Sequence, residues 1–327
     1  VEAVLPEQAS AGSAAGEKTK RRRRRRWLWA LLALPLTGGL VLYYYAFNNW
    51  SWCGQDWIAA HIDESIRRGL DHLYETQAFA KPFDYGGEHR VHHWFLEHVL
   101  AREEHAGLRA QMDVARVANA DNWTWRAFAG LPGWPPPEFR PEEWQGLRRA
   151  MYQPSDSPYS LWLVYALYPR NVSLSERDRA RLFGDTDQLV SGYDLTHALA
   201  CYLWLREIAP DIAERDHVAQ LIPRVSQRLL RGQTWDARPS DLYNERVALW
   251  LYMPDGPAIR PRWIERIILT QNRDGGWTFP PDEWRLVQQM LGLRGDGVSH
   301  PHTTLLAIYA LVEYREQLRA EGVYPQR

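Results

Sequence analysis

Residues 299–311 read SHPHTTLLAIYAL, with His300 and His302 on either side of Pro301 at the start of a stretch that is apolar on nearly every side. Imidazole titrates nearest to neutrality, so a histidine at the mouth of an apolar helix is a candidate proton carrier or metal ligand. The alternative is a capped helix start, with Ser299 and the threonines as caps and Pro301 in the first turn. The juxtaposition recurs upstream: His92 and His93 open VHHWFLEHVLA, Asp194 and His197 open YDLTHALACYLWL, and Glu245 stands near the start of YNERVALWLYM. Asp194, His197 and Cys201 are spaced i, i+3, i+7 and share one helix face, as do His89, His93 and Glu97.

If these helix starts meet on one axis, His93, His197 and His302 are the candidate ligands of zinc or a related divalent ion, for which imidazole and carboxylate are ordinary partners. Asp194 and Glu245 are the candidate catalytic carboxylates, able to do acid–base work with His302 even without a metal. Against both stands the plainer expectation that the histidines are satisfied by loop carbonyls or face solvent, and Cys201 reads as a small core residue rather than a ligand. The chain carries no H-E-x-x-H signature, nucleophile elbow, phosphate loop or dinucleotide fingerprint.

The segments that must position these residues alternate. DWIAAHIDESIRRGLDHLYETQ places Ile58, Ile62, Ile66, Leu70 and Leu73 on one face and charges on the other, and the far more apolar VHHWFLEHVLA follows it. Four further pairs repeat the pattern, the last being RPRWIERIILTQNRDGGW followed by HPHTTLLAIYAL. A helix polar on one face belongs outside and one apolar all round belongs inside. Repeated hairpins of this kind predict an all-α protein, an α/α toroid of about five helical hairpins, with helices starting near 91, 158, 194, 244 and 302 on the inside.

The N-terminal part sets the compartment. Residues 1–26 read as a disordered tail that ends in six arginines, and residues 27–47, WLWALLALPLTGGLVLYYYAF, are 21 residues without a charge. That length spans a bilayer, the basic block is expected on the cytoplasmic side, and Trp27, Trp29 and Tyr43 to Tyr45 fall where an aromatic belt would. The expectation is a single-pass signal anchor in the inner (plasma) membrane, with residues 48–327 as a domain facing the periplasm or cell exterior. Beyond the arginine block the chain is mildly acidic, which argues against nucleic acid as a partner. Tryptophan and tyrosine, 17 and 16 against 8 phenylalanines, suit interfaces and sugar stacking. The Trp- and Pro-rich stretch 121–144 is an irregular insertion, either held against the domain by aromatic packing or serving as a lid or stacking platform.

IERIILTQNRDGGW (264–277) resembles the Q-x-x-DGGW turn of the terpenoid cyclase and protein prenyltransferase superfamily, and HTTLLAIYAL (302–311) resembles the His-Thr helix start of the prenyltransferase β-subunit. The resemblance covers the C-terminal fifth of the chain. It implies an α/α toroid in which the turn ties an outer helix to the next inner one, and it implies a zinc-ligand role for His302. The chain lacks a D-x-D-D acid motif, GDTDQ at 184–188 being the nearest, and lacks an Asp-x-Cys pair, so neither polyene cyclisation nor prenyl transfer is implied. Three function classes follow: a metal-dependent enzyme acting on an envelope substrate, a binder of an apolar ligand or glycan, and an assembly scaffold for a membrane-protein partner. Convergence of the ionisable helix starts marks the first.

Overall fold

The computed structural model describes residues 33–79, 88–133, 138–140, 142–145, 159–236, 239–278 and 299–325, with residues 88, 89, 123 and 124 described by backbone alone. The arginine block, Trp27, Trp29, the His89 side chain and residues 134–137 of the insertion lie outside the described residues.

The chain divides between Phe47 and Asn48 into two units. In the first, residues 33–47 are helical and expose Leu34, Leu36, Leu40, Leu42 and Tyr43. No helix among the described residues is long and apolar enough to cross a membrane; residues 27–32 of the apolar segment are not among them.

The regular secondary structure among the described residues of the second unit is helical, apart from one isolated bridge between Thr278 and Ser299. Its elements are α1 (Gly54–Glu75), α2 (Glu88–Leu100), α3 (Ala106–Ala118), α4 (Trp123–Ala127), α5 (Tyr159–Leu167), α6 (Glu176–Phe183), α7 (Gly192–Ile208), α8 (Pro210–Arg215), α9 (Val218–Trp235), α10 (Asp241–Tyr252), α11 (Pro261–Leu269) and α12 (Pro301–Ala320). In α1 the buried positions include Ile58, Ile62, Ile66, Leu70 and Leu73, the stripe expected from its spacing. The helices that are apolar all round are the buried ones: every residue of α5 from Leu161 to Leu167, α10 from Tyr243 to Trp250, and α12 from Thr303 to Val312. Among these helices α5 packs on α7, α7 on α10, α10 on α12, and α12 on α2. The amphipathic helices lie against them, α9 on α7 and both α1 and α11 on α12.

The turn after α11 fixes the start of α12. Gln271 donates from Nε2 to the Gly275 carbonyl at 2.7 Å and to the Ser65 carbonyl of α1 at 2.8 Å. Trp277, 1% exposed, donates from its indole to the Ile267 carbonyl at 2.7 Å and from its backbone to Thr304 Oγ1 at 2.9 Å. Its carbonyl then accepts the His300 amide at 2.8 Å. Ser299 donates to Asp274 and accepts from Asn272, and His300, the N-cap residue, makes no side-chain cap bond. Thus Ser299 and Thr304 lace the turn instead of capping the helix, and α1, α11 and α12 are tied at one point.

Gly275 shows how tight that point is. Its φ of +92° is one that L side chains rarely adopt, and a Cβ there would lie 2.4 Å from the Arg68 carbonyl oxygen. Gly275→Ala is expected to cost about 1–3 kcal/mol, read as a lowered urea midpoint with an unchanged slope.

The described part of the insertion is packed down. Trp144 and Phe139 meet the Tyr168 ring at 5.2 and 5.6 Å, Arg126 pairs with Glu143 at 2.6 Å, and the Pro132 carbonyl accepts the Trp94 indole N–H at 2.8 Å. Both cysteines are free thiols, Cys53 exposed and Cys201 buried, and burial pushes the Cys201 thiol far up.

Candidate active site at the helix mouths

Ser191 and Ser240 cap α7 and α10, α12 starts from the laced turn, and these three helices border one pocket of about 50 Å³ together with α2 and α5. Its rim is polar, with His92, His197, Glu245 and His302; its floor is apolar, including Phe95, Leu163, Trp204 and Leu306. Each of the five all-apolar helices contributes a lining residue.

On one side of the rim His197 stacks flat on Tyr159, with ring centroids 4.3 Å apart. Its Nδ1 lies 2.9 Å from the Tyr193 carbonyl, one turn back on α7, and 3.6 Å from Glu245 Oε1. A carbonyl can only accept, so Nδ1 carries the proton and Nε2 keeps its lone pair. Glu245 is positioned to stabilise the imidazolium that forms when Nε2 takes up a proton, the arrangement a general base needs.

On the other side His302 Nδ1 is hydrogen-bonded to His92 Nε2, and its own Nε2 lies 3.5 Å from Asp241 Oδ1. Asp241 is buried and is itself held by Thr303 Oγ1 at 3.0 Å and by the Tyr193 hydroxyl at 3.3 Å. That hydroxyl is pushed far above the phenol range, first by burial and then by Asp241 and Glu245, so Tyr193 stays a neutral donor. With Nε2 turned to the carboxylate, His302 Nδ1 accepts from His92. Tyr193 therefore links the two sides, its carbonyl to His197 and its hydroxyl to Asp241.

His197, His302 and Glu245 are brought together by the fold. His93 is not at the rim: it is buried, edge-on to Phe79 and Trp125 at 5.5 and 4.6 Å, one position round the helix from His92. His300 is exposed. Asp194 lies one turn before His197, but its carboxylate accepts the Ser191 and Val190 amides at 3.0 and 3.1 Å and pairs with Arg181 at 2.7 Å. It completes the capping box of α7. Among the described residues no group of three or more His, Cys, Asp or Glu stands together so as to hold a metal ion.

Burial alone would raise the Asp194 carboxyl, yet the Ser191 amide and the Arg181 guanidinium outweigh it and hold it below the usual carboxylate range. A carboxyl lowered on folding adds stability above its unfolded value near 4 and loses it as pH falls through the folded value. Asp194→Asn is expected to lower stability by about 1–2 kcal/mol at pH 7, the gap from wild type closing on acidification below about pH 4 in a pH series of unfolding curves.

Asp241, Tyr193 and Tyr159 complete the site beyond the residues named at helix starts, and of the adjacent pair it is His92, not the candidate ligand His93, that lines the pocket. No family model, curated protein or solved structure matches the chain.

Proposed function

We propose that this chain is a membrane-anchored α/α-toroid enzyme whose active site is the pocket at the inner-helix mouths. The observation that carries the reading is that all five buried apolar helices border one pocket whose rim holds His197 beside Glu245 and His302 beside Asp241. Ionisable groups gathered from several elements at one concave, apolar-floored site are what acid–base chemistry requires, and what packing alone gives no reason to build. In this reading His197 Nε2 is the base, Glu245 orients and stabilises it, and the His302–His92 pair with Asp241 moves a proton on the opposite wall.

The toroid arrangement draws support from the helix order α5–α7–α10–α12–α2 and from the laced turn that the superfamily resemblance leads one to expect. The apolar residues 27–47, with the arginines before them, support a signal anchor in the plasma membrane and a domain on the periplasmic or outer side. The substrate is then an envelope component. A pocket of about 50 Å³ takes only a few atoms, so the substrate presents a small reacting group while its bulk stays outside.

A divalent ion such as zinc would find two nitrogens here, His302 Nδ1 and His92 Nε2, with Asp241 orienting His302 from behind as outer carboxylates orient metal-bound histidines. Two protein ligands are one fewer than catalytic zinc sites use, so the proposal rests on acid–base chemistry.

The test is to incubate the purified full-length protein with an envelope extract and compare products by mass spectrometry with those of Glu245→Gln, while measuring metal content in both. The expected result is a species formed only by wild type. Identical profiles would sink the enzyme reading and leave a non-catalytic ligand or glycan binder, or a scaffold. Stoichiometric zinc lost on His302→Ala would add the metal to the site.

A further inference from the structure

Most tryptophans of the domain whose side chains are described are packed inside. Among the described residues of the second unit the exposed ones are Trp50, Trp52 and Trp235, at 66, 59 and 47%. Trp50 and Trp52 belong to the stretch that follows the apolar segment directly in sequence. Trp235 ends α9, far away in sequence, yet the Thr234 carbonyl beside it accepts the Asn49 side-chain amide at 2.9 Å. The end of α9 and the Trp50–Trp52 stretch therefore meet where the domain's chain begins.

That stretch is pinned rather than trailing as a linker. Asn48 accepts from buried Arg266 at 2.6 Å and Asn49 accepts from Arg260. Ser51 Oγ and the Trp52 amide both donate to Glu265, at 2.9 and 3.0 Å. Glu265 is fully buried and paired with Arg262 at 2.6 Å, and Arg262 in turn lies 4.8 Å over the Trp52 ring. These bonds hold the stretch against α11, while Trp50 and Trp52 remain exposed. Arg231, one turn before Trp235, is also exposed.

We infer that Trp50, Trp52 and Trp235 form a seat on the lipid bilayer interface, so that the domain rests on the membrane surface instead of hanging from a tether. Indole, with an apolar body and one N–H, is the side chain that prefers the headgroup level, and Arg231 suits lipid phosphate beside it. The occupant is lipid rather than a protein partner because the chain reaches this face straight from the proposed anchor; the inference rests on that anchor.

The wild-type thiols allow a direct test, since Cys53 is exposed and Cys201 buried. A nitroxide on Cys53 of the full chain in phosphatidylcholine–phosphatidylglycerol nanodiscs reports depth through collision with oxygen against a water-soluble nickel chelate. The same label on Cys53→Ser/Val190→Cys is the aqueous reference, Val190 being 84% exposed. The expected oxygen-to-nickel ratio at Cys53 is several-fold above the reference, falling toward it in Trp50→Ala/Trp52→Ala/Trp235→Ala. A Cys53 ratio equal to the reference, in protein that co-purifies with the discs, overturns the seat and leaves the anchor. Protein that fails to co-purify with lipid overturns both.

Discussion

Trp277→Ala is expected to cost about 3–5 kcal/mol of unfolding free energy, among the largest losses available to a single substitution in this domain. The indole is fully enclosed, reaches the Ile267 carbonyl and sits against Gly69 of α1, where an added Cβ would lie 3.0 Å from the ring. Removing it opens a cavity at the point that joins α1, α11 and α12. Trp277→Phe keeps most of the volume and is expected to cost less, about 1–3 kcal/mol, for the unpaired carbonyl. The two variants, compared in urea unfolding, separate packing from hydrogen bonding; equal losses would show that the ring volume contributes little. Because the Trp277 carbonyl accepts the His300 amide, the alanine variant also loosens the turn that presents His302.

The second large effect is on activity. His197→Ala and Glu245→Gln are each expected to lower formation of the envelope product by about 10²–10⁴-fold, the range that a positioned acid–base group contributes. Both side chains border the pocket, and neither holds a helix cap, so unfolding midpoints are expected to shift little beside the rate. Asp194→Asn is the reverse case: stability falls and turnover is kept, because that carboxylate serves the α7 cap and Arg181. If Asp194→Asn lost as much turnover as Glu245→Gln, with its fold intact, the division between cap and site would be wrong.

Much of this was legible in the residues themselves. The five helices expected inside, with starts near 91, 158, 194, 244 and 302, begin at Glu88, Tyr159, Gly192, Asp241 and Pro301. Hydrophobic periodicity reports burial, and burial is what separates these helices from their amphipathic neighbours. Four of the residues named at helix starts, His92, His197, Glu245 and His302, line the pocket. His92 lines it and His93 does not, a difference of about 100° of helix rotation that adjacent histidines in an apolar run cannot settle; what decides it is that Phe79 and Trp125 enclose the His93 ring. Asp194 looks like a site acid because it shares a face with His197, but an acid three residues after Ser191 is also the signature of a capping box. Asp241 hid for the same reason, following Ser240 as an ordinary first-turn acid, and only the meeting of α10 with α12 brings it to His302. Ser51 and Trp52 gave no sign of being pinned, since their contacts come from Glu265 and Arg262, more than two hundred residues later.

The most direct test of the central claim leaves every ionisable group in place and fills the pocket. Ala200 lines it between His197 and Trp204 on α7, and Ala200→Leu adds a side chain large enough to occupy about 50 Å³. Product formation from the envelope extract is the quantity to measure, with a urea unfolding curve confirming that the variant is folded. A folded Ala200→Leu protein with its product lost is the expected result, whereas product formed at the wild-type rate would place the function elsewhere on the molecule.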